Sequence, residues 1–552
     1  MVSEQWSVVS AGSYAFDTDH CSLTTDHFLE MKKSVYKIPL EQTQAFSSLL
    51  SDYISQNDKI TSFIHYASSA EGLKKCLASC SFPPERRMVL QEVLKEEYAG
   101  FQLSGKVSEH LERISSPDTF FITTGQQIHV LGGPLYVLYK IASTLQLAAA
   151  CKQLMPDKHF IPLFWMASED HDLEEIDHLS IFGKRYQAEL MGKGPAGRVS
   201  TAGLAEWIEG LPDIPEVFRK AYQQYGNLSQ ATHYWLNELF GKHGLVVLDA
   251  DHPKLKQQFI PVLEKELLEG ISIEAVRKQT EALEEQGYKS QIFPRDINLF
   301  YISSEGRNRI VLENGKYSVL NTSTVFDQQS LLQELHAHPE SFSPNVVLRP
   351  VYQEYILPNI AYIGGPAEVA YWLQLQKVFE VLHLRMPVVL PRNFAMVVGK
   401  QQWGKLQKLG LRPEAVFLPE EELKQFFLKE KNHVIPEWND VAGELNKLWE
   451  NVEEKSLKAD ANLKDWLAAE KHKVQKQLEN IEKRVAKTYE QKLEQEMKQL
   501  TALKEKLLPG GGLQERSDSF LSFLINDPNF IDDIIPLFDP LDFRFNIVVY
   551  ED

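Results

Sequence analysis

Four short stretches of this chain gather polar and charged side chains directly after apolar runs. The first is Thr123-Thr124-Gly125-Gln126-Gln127, followed by Gly132-Gly133-Pro134-Leu135-Tyr136 and then Lys140. Glycines let a ligand approach the backbone, the N–H groups at a helix start favour an anion, and glutamine amides both donate and accept. The pattern is neither a Walker A loop nor GxGxxG. A tight strand-to-helix turn with proline at the helix start accounts for it equally well. The second stretch is Ser168-Glu169-Asp170-His171-Asp172, with Glu174, Glu175, Asp177 and His178 close behind. Such a run is costly at a buried strand end unless it is solvated, paired or functional. Asp170, His171, Asp172 and His178 are the catalytic candidates, with the histidines as general base or substrate orienters. The same groups offer oxygen and nitrogen ligands to a divalent metal, although their spacing is no recognised ligand signature; a solvated acidic loop is the bland alternative.

The third stretch is Leu348-Arg349-Pro350-Val351-Tyr352-Gln353 and then Ala361-Tyr362-Ile363-Gly364-Gly365-Pro366-Ala367-Glu368. Arg349 can clamp a carboxylate or phosphate with two parallel hydrogen bonds. Glu368 either caps the following helix or binds a substrate amine. The fourth is Pro391-Arg392-Asn393, where Arg392 is a second anion contact or a surface charge. The substrate- or nucleotide-binding candidates are therefore Thr124, Gly125, Gln126, Gln127, Gly132, Gly133, Pro134, Lys140, Glu169, Arg349, Gln353, Tyr362, Gly364, Gly365, Glu368 and Arg392. No metal ligand is assigned.

These residues need a scaffold. Five apolar runs, Phe120 to Thr123, Phe160 to Met166, Leu245 to Leu248, Ile360 to Ile363 and Pro387 to Leu390, suit strands buried on both faces. Leu135 to Leu154 reads as a helix between the first two, so the pattern predicts an α/β core with a parallel sheet. Ligands in such sheets bind beyond the carboxyl ends of the strands. The candidates are expected there, with Gln126 and Gln127 opposite Asp170 and His171. Residues 1–115 read as a mostly helical region packed on the core. The core itself spans 116–435, with insertions at about 178–243 and 254–355. The first insertion opens with a strand pair. The second holds one long helix, Leu255 to Gln286, and strands near Asn298 to Ile302 and Arg309 to Glu313. Residues 436–508 carry an apolar stripe, Val474, Leu478, Ile481, Val485, Tyr489, Leu493, Met497, Leu500, Leu503 and Leu507, which predicts a long coiled-coil arm and a homodimer seam. Pro509 and the glycines after it stop the arm, and 509–552 is expected to return to the core.

Composition narrows the function. The 552 residues are 43% hydrophobic and 24% charged, as in globular proteins, and make roughly three to four units of ordinary domain size. A net charge of −18 argues against a nucleic-acid partner. No apolar stretch reaches the ~20 residues of a membrane span, and no secretory signal is expected at the start. Four cysteines, Cys21, Cys76, Cys80 and Cys151, form no disulfide or zinc pattern; the pair Cys76 and Cys80 reads as buried core thiols, and the chain as cytoplasmic.

Taken together, TGQQ with its downstream GGPLYVLYK, FWMASEDHD, LRPVYQ, AYIGGPAEVAYW, PRN and a late LQER resemble the bacillithiol biosynthesis cysteine-adding enzymes, BshC, from about residue 119 to 516. The resemblance implies a core similar to class I nucleotidylyl transferases, a Rossmann-like sheet with inserted lobes and a coiled-coil arm. It implies a ligase that adds cysteine to glucosaminyl-malate through an amide bond. The carboxylate is expected to be activated with ATP as co-substrate, and no tightly bound cofactor is expected. Two readings of other classes stand beside it: a metal-dependent hydrolase or amidase built on Asp170, His171, Asp172 and His178, and a non-catalytic coiled-coil adaptor.

Overall fold

The five apolar runs do become one sheet. In the computed structural model, which describes residues 33–430 and 438–551, the strands are Thr119–Gln126, His159–Met166, Val246–Asp249, Asn359–Gly364 and Val388–Pro391. All are parallel, in the spatial order fifth, fourth, first, second, third. The chain starts at the centre, builds outward on one side, then returns and builds outward on the other. A switch point therefore lies between the first and fourth strands, the place where open α/β sheets bind ligands. Register aligns the carboxyl ends: Gln126 is paired with Met166, Met166 with Asp249, and Gly364 with Pro391.

Helix Leu135–Leu154 links the first two strands over the predicted residues. It is buried nearly all round, which suits an element wedged between the sheet and its covering segments. Period-two alternation sends Phe120, Ile122, Phe160, Ala361, Ile363, Val388 and Leu390 to one face, where they pack with Leu147, Ala148 and Cys151 of this helix and with Leu73 and Cys76. Cys76 and Cys151 are thus core thiols; Cys80 is half-buried. Cys21 lies outside the described residues.

The first insertion opens with the antiparallel pair His178–Ile181 and Lys184–Gln187 and continues as helices. The second corrects one expectation. Gly270 adopts φ 59° and splits the predicted long helix into Pro253–Glu269 and Ile271–Glu285. It then forms its own sheet around Leu299–Ser303 and Gly306–Glu313. The N-terminal region is helical from Ser48 to Arg113 but begins with an unexpected strand, Lys33–Ile38. That strand belongs to a three-stranded sheet with Phe545–Tyr550 and Ala395–Val398. A six-residue strand rich in Lys and Tyr carries little apolar signal, and its partners lie hundreds of residues away.

The described chain forms two compact units. One comprises residues 33–397 and 512–548, the other chiefly 398–511. Composition had placed the arm's start at 436. The unit begins earlier because Lys400–Leu409 and Pro413–Phe417 carry buried apolar residues of ordinary domain texture. The arm is a helical pair. Asn439–Ala459 turns at Asp460 into the 44-residue helix Lys464–Leu507. Gln475 on the second helix donates to Asn446 on the first, as an antiparallel pair requires. No described helix is long and apolar enough to cross a membrane.

Candidate active site

At the carboxyl edge of the parallel sheet lies a cavity of about 540 Å³. Gly125, Gln126 and Gln127 enter it from the first strand's end, Trp165 and Ala167 from the second, Tyr362, Gly365 and Glu368 from the fourth and its helix, and Arg392 from the fifth. Arg349, Tyr136, Lys140, Tyr371, Glu175 and Arg516 complete the charged and aromatic lining.

Two of the cations are already satisfied. Buried Lys140 donates to Gly125 O at 2.7 Å and Gln126 Oε1 at 2.9 Å, and pairs with Glu368. Its three protons are used, so it ties the first strand to the Gly365 turn. Burial alone would raise the Glu368 carboxyl. The Lys140 charge and hydrogen bonds from Lys140, Tyr362 and the Gly365 N–H (2.8 Å) outweigh this and hold it below its ordinary value. Glu368 is thus the helix cap of the two readings given to it. Buried Arg392 forms a two-pronged pair with Glu515, one prong at 2.9 Å, and also donates to Asn393 O.

Arg349 and Arg516 differ. Arg349 donates to Gln353 Oε1 at 3.1 Å and reaches Tyr371 Oη at 3.4 Å, and it lies over Trp165 and Tyr362. Neither guanidinium has a carboxylate within 4 Å among the described residues. Arg349 is not at a strand end, as the sequence suggested. It opens helix Arg349–Ile356, which precedes the fourth strand. Conversely, Glu175 is a lining carboxylate touched by the Gln127 amide at 2.7 Å and by no cation among the described residues. Tyr136 is pushed up to about 12, chiefly by burial, and stays a neutral phenol.

The glycine turn is corrected. Gly132, Gly133 and Pro134 do not line the cavity. A Cβ on Gly132 would meet the Phe520 ring at 2.5 Å and one on Gly133 would meet His129 at 2.7 Å. Both have positive φ, and the Leu135 N–H is taken by Asp518 O at 2.8 Å. These glycines make room for the Phe520 and His129 rings. Thr124, Gly364 and Gln353 stand behind the lining: Thr124 donates to Ile363 O, Gly364 O accepts from Arg392 N, and Gln353 braces Arg349.

Of the acidic stretch only Glu175 reaches the lining; Ser168 to Asp172 and His178 lie outside it. Gln127 does meet Asp170, donating to Oδ2 at 2.7 Å. Asp170 would be raised by burial, but hydrogen bonds from His171 and Gln127, with Arg307 nearby, lower it to about 2. Arg307, from the second insertion, also approaches His171 Nδ1 at 3.1 Å. The same nitrogen lies 3.6 Å from Asp170 Oδ1, so His171 sits between a guanidinium and a carboxylate. Asp172 is exposed, and His178 pairs with Asp177 at 2.9 Å on the hairpin. Glu169 is buried against Lys256, which also binds Asp251. Among the described residues no group of three or more His, Cys, Asp or Glu side chains is arranged to hold a metal ion. The ligand set of the hydrolase reading is therefore not gathered.

Arg516, Glu175, Trp165, Tyr371 and Arg307 were not among the binding or catalytic candidates. Trp165 sits in an apolar run and reads as core, while Arg516 is visible only as part of the LQER motif.

Comparison with known proteins agrees with this architecture. Residues 33–393 match the N-terminal Rossmann-like domain of bacillithiol biosynthesis BshC, and 395–550 match its C-terminal coiled-coil domain. A relative from Cytophaga hutchinsonii named "Putative cysteine ligase BshC" is 40% identical over 94% of this chain and 99% of its own length. Relatives of the same name from Flavobacterium psychrophilum and Bacillus cytotoxicus are 36% and 28% identical, over 93% and 85% of this chain and 98% and 91% of their own. A Rossmann-like core with a charged switch-point cavity, followed by a helical arm and matched along both parts, places this chain in the BshC family of bacillithiol biosynthesis.

Proposed function

We propose that this chain is a cytoplasmic ligase that joins cysteine to glucosaminyl-malate, using ATP to activate the cysteine carboxylate. One observation carries the reading. Among the described residues, the cavity presents two guanidiniums without carboxylate partners, Arg349 and Arg516, and one carboxylate without a cation, Glu175. That pattern complements a ligand bearing both carboxylates and an amine, as glucosaminyl-malate does. Arg349 and Arg516 receive the malate carboxylates, and Tyr362, Trp165 and Tyr371 wall the site. Glu175 holds the sugar ammonium and takes its proton, since only the neutral amine is a nucleophile. The amine nitrogen then bonds to the cysteine carbonyl carbon. The departing carboxylate oxygen leaves with the phosphoryl or adenylyl group supplied by ATP.

Incubation of the purified chain with cysteine, glucosaminyl-malate and ATP, followed by mass spectrometry, tests this. The expected product has the summed mass of the two substrates less one water, and it requires nucleotide. No such product with all three present refutes the proposal; product without nucleotide removes the activation step.

A further inference from the structure

Beneath Arg349 runs a chain of buried amides and one buried acid. Arg349 Nη1 donates to Gln353 Oε1 at 3.1 Å, and Gln353 Nε2 donates to Glu354 Oε1 at 2.8 Å. The same Glu354 oxygen accepts from Asn359 Nδ2 at 2.7 Å, and Asn359 Oδ1 accepts from Thr123 of the first strand at 2.9 Å. Gln353 and Asn359 are fully buried and Glu354 is 7% exposed. Glu354 does not line the cavity.

The chemistry of these groups leaves one arrangement. A carboxylate only accepts hydrogen bonds and a guanidinium only donates them. An amide held between the two must turn its nitrogen to the carboxylate and its oxygen to the guanidinium. We infer that Glu354 is a positioning residue for anion binding: it fixes the Gln353 amide so that the amide oxygen aims Arg349 into the cavity. The inference rests on the reading of Arg349 as receiver of the substrate's carboxylate. Glu354 faces Arg385 and Arg349, the amides of Gln353 and Asn359, and the thiols of Cys76 and Cys80. Burial is the largest influence on its carboxyl and pushes it up to about 7. A protonated Glu354 can donate, and the amide is then no longer held to one orientation.

Calorimetric titration of glucosaminyl-malate into the full chain tests this, with Glu354→Gln, Arg349→Lys and the double variant. Glu354→Gln keeps the shape but adds a donor, so it should weaken binding roughly tenfold. Added to Arg349→Lys it should change affinity by less than about twofold, because residues acting through one contact are not additive. Wild-type binding should also be tighter at pH 8 than at pH 6. The ratio of wild-type to Glu354→Gln affinity should grow across that interval, since titration of the sugar amine is common to both and cancels. If Glu354→Gln does not fold, Arg349→Lys serves as the reference, and the ratio of wild-type to Arg349→Lys affinity should grow across the same interval. Unchanged affinity in Glu354→Gln, an equal loss in both backgrounds, or a flat ratio overturns the inference while leaving the function intact. A wild-type chain that binds no glucosaminyl-malate refutes the functional reading itself, and this inference with it.

Discussion

Arg349 and Arg392 are both arginines at one cavity, yet their surroundings give them different work. Arg392 spends its fork on Glu515, while Arg349 spends its hydrogen bonds on neutral oxygens and keeps its charge for a ligand. Arg349→Lys keeps the charge but loses the planar fork. It should weaken glucosaminyl-malate binding roughly tenfold with little change in Tm; equal affinity in calorimetry would remove Arg349 from the site. Glu354 gives the second expectation at this scale. Its folded carboxyl sits at about 7, above its unfolded value, so the folded state holds the proton more tightly. Stability from this group is fully present below the unfolded value, near pH 4, and declines as pH rises through 7. At pH 8 the buried charge costs on the order of 3 kcal/mol. Glu354→Gln should therefore melt higher than wild type at pH 8 and show no such gain at pH 4, by scanning calorimetry at both. A variant that melts lower at pH 8 would mark Glu354 as an ordinary structural brace. The sequence showed most of these residues by type, since glutamines, glycines and arginines after apolar runs are conspicuous. It did not show their division of labour. Whether Arg392 meets substrate or Glu515 depends on a residue 123 positions further along.

Among elements, every strand of the parallel sheet and the helix Leu135–Leu154 could be read from apolar runs and period, but their spatial order could not. Consecutive strands are neighbours roughly two-thirds of the time, and the first two are neighbours here, so Gln127 and Asp170 meet. The cavity, however, centres on the other flank, where the fourth strand lies beside the first. Nothing local to either strand encodes that pairing, which is why the acidic loop drew more attention than Tyr362 and Arg349. The arm shows what period can yield. The 21-residue helix Asn439–Ala459 folds back on a 44-residue partner, so it can shield only about half of it. Gln475 meets Asn446, and by that register the first helix ends before Val485. Val485, Leu493 and Met497 stay half-exposed, and Ile481 is 51% exposed. An apolar stripe of this length favours a second copy of the arm. Val485→Lys with Leu493→Lys would bury ammonium groups in that seam at a cost of several kcal/mol. Light scattering should then show a dimeric wild type and a monomeric double variant; a wild type already monomeric at micromolar concentration removes the seam.

At the scale of the whole molecule, the chain leaves the core unit after Val397 and re-enters it at Gly512, and the two ends are clasped together. Gln514 accepts from Val397 N at 2.8 Å and donates to Val397 O at 3.1 Å. Glu515 accepts from Ala395 N at 3.1 Å and from both terminal nitrogens of Arg392. The following residues supply Arg516 to the cavity, Asp518 O to the start of helix Leu135–Leu154, and Phe520 to the turn at Gly132. The segment after the coiled coil, expected from the sequence to return to the core, therefore closes it. The Arg392–Glu515 pair tests the closure, because its side chains are 2% and 1% exposed. Removing one member of a buried pair strands the other charge and typically costs about 3–5 kcal/mol. Glu515→Ala should lose that much, read as a lower denaturant midpoint, since it leaves the guanidinium with Asn393 O but no carboxylate, and the Ala395 N–H without an acceptor. Replacing the whole pair with apolar residues of similar size, Arg392→Met with Glu515→Leu, should recover most of the loss, because desolvation and attraction nearly cancel in such pairs. A Glu515→Ala midpoint within about 1 kcal/mol of wild type would mean that water reaches Arg392, and that the returning segment lies against the core without closing it.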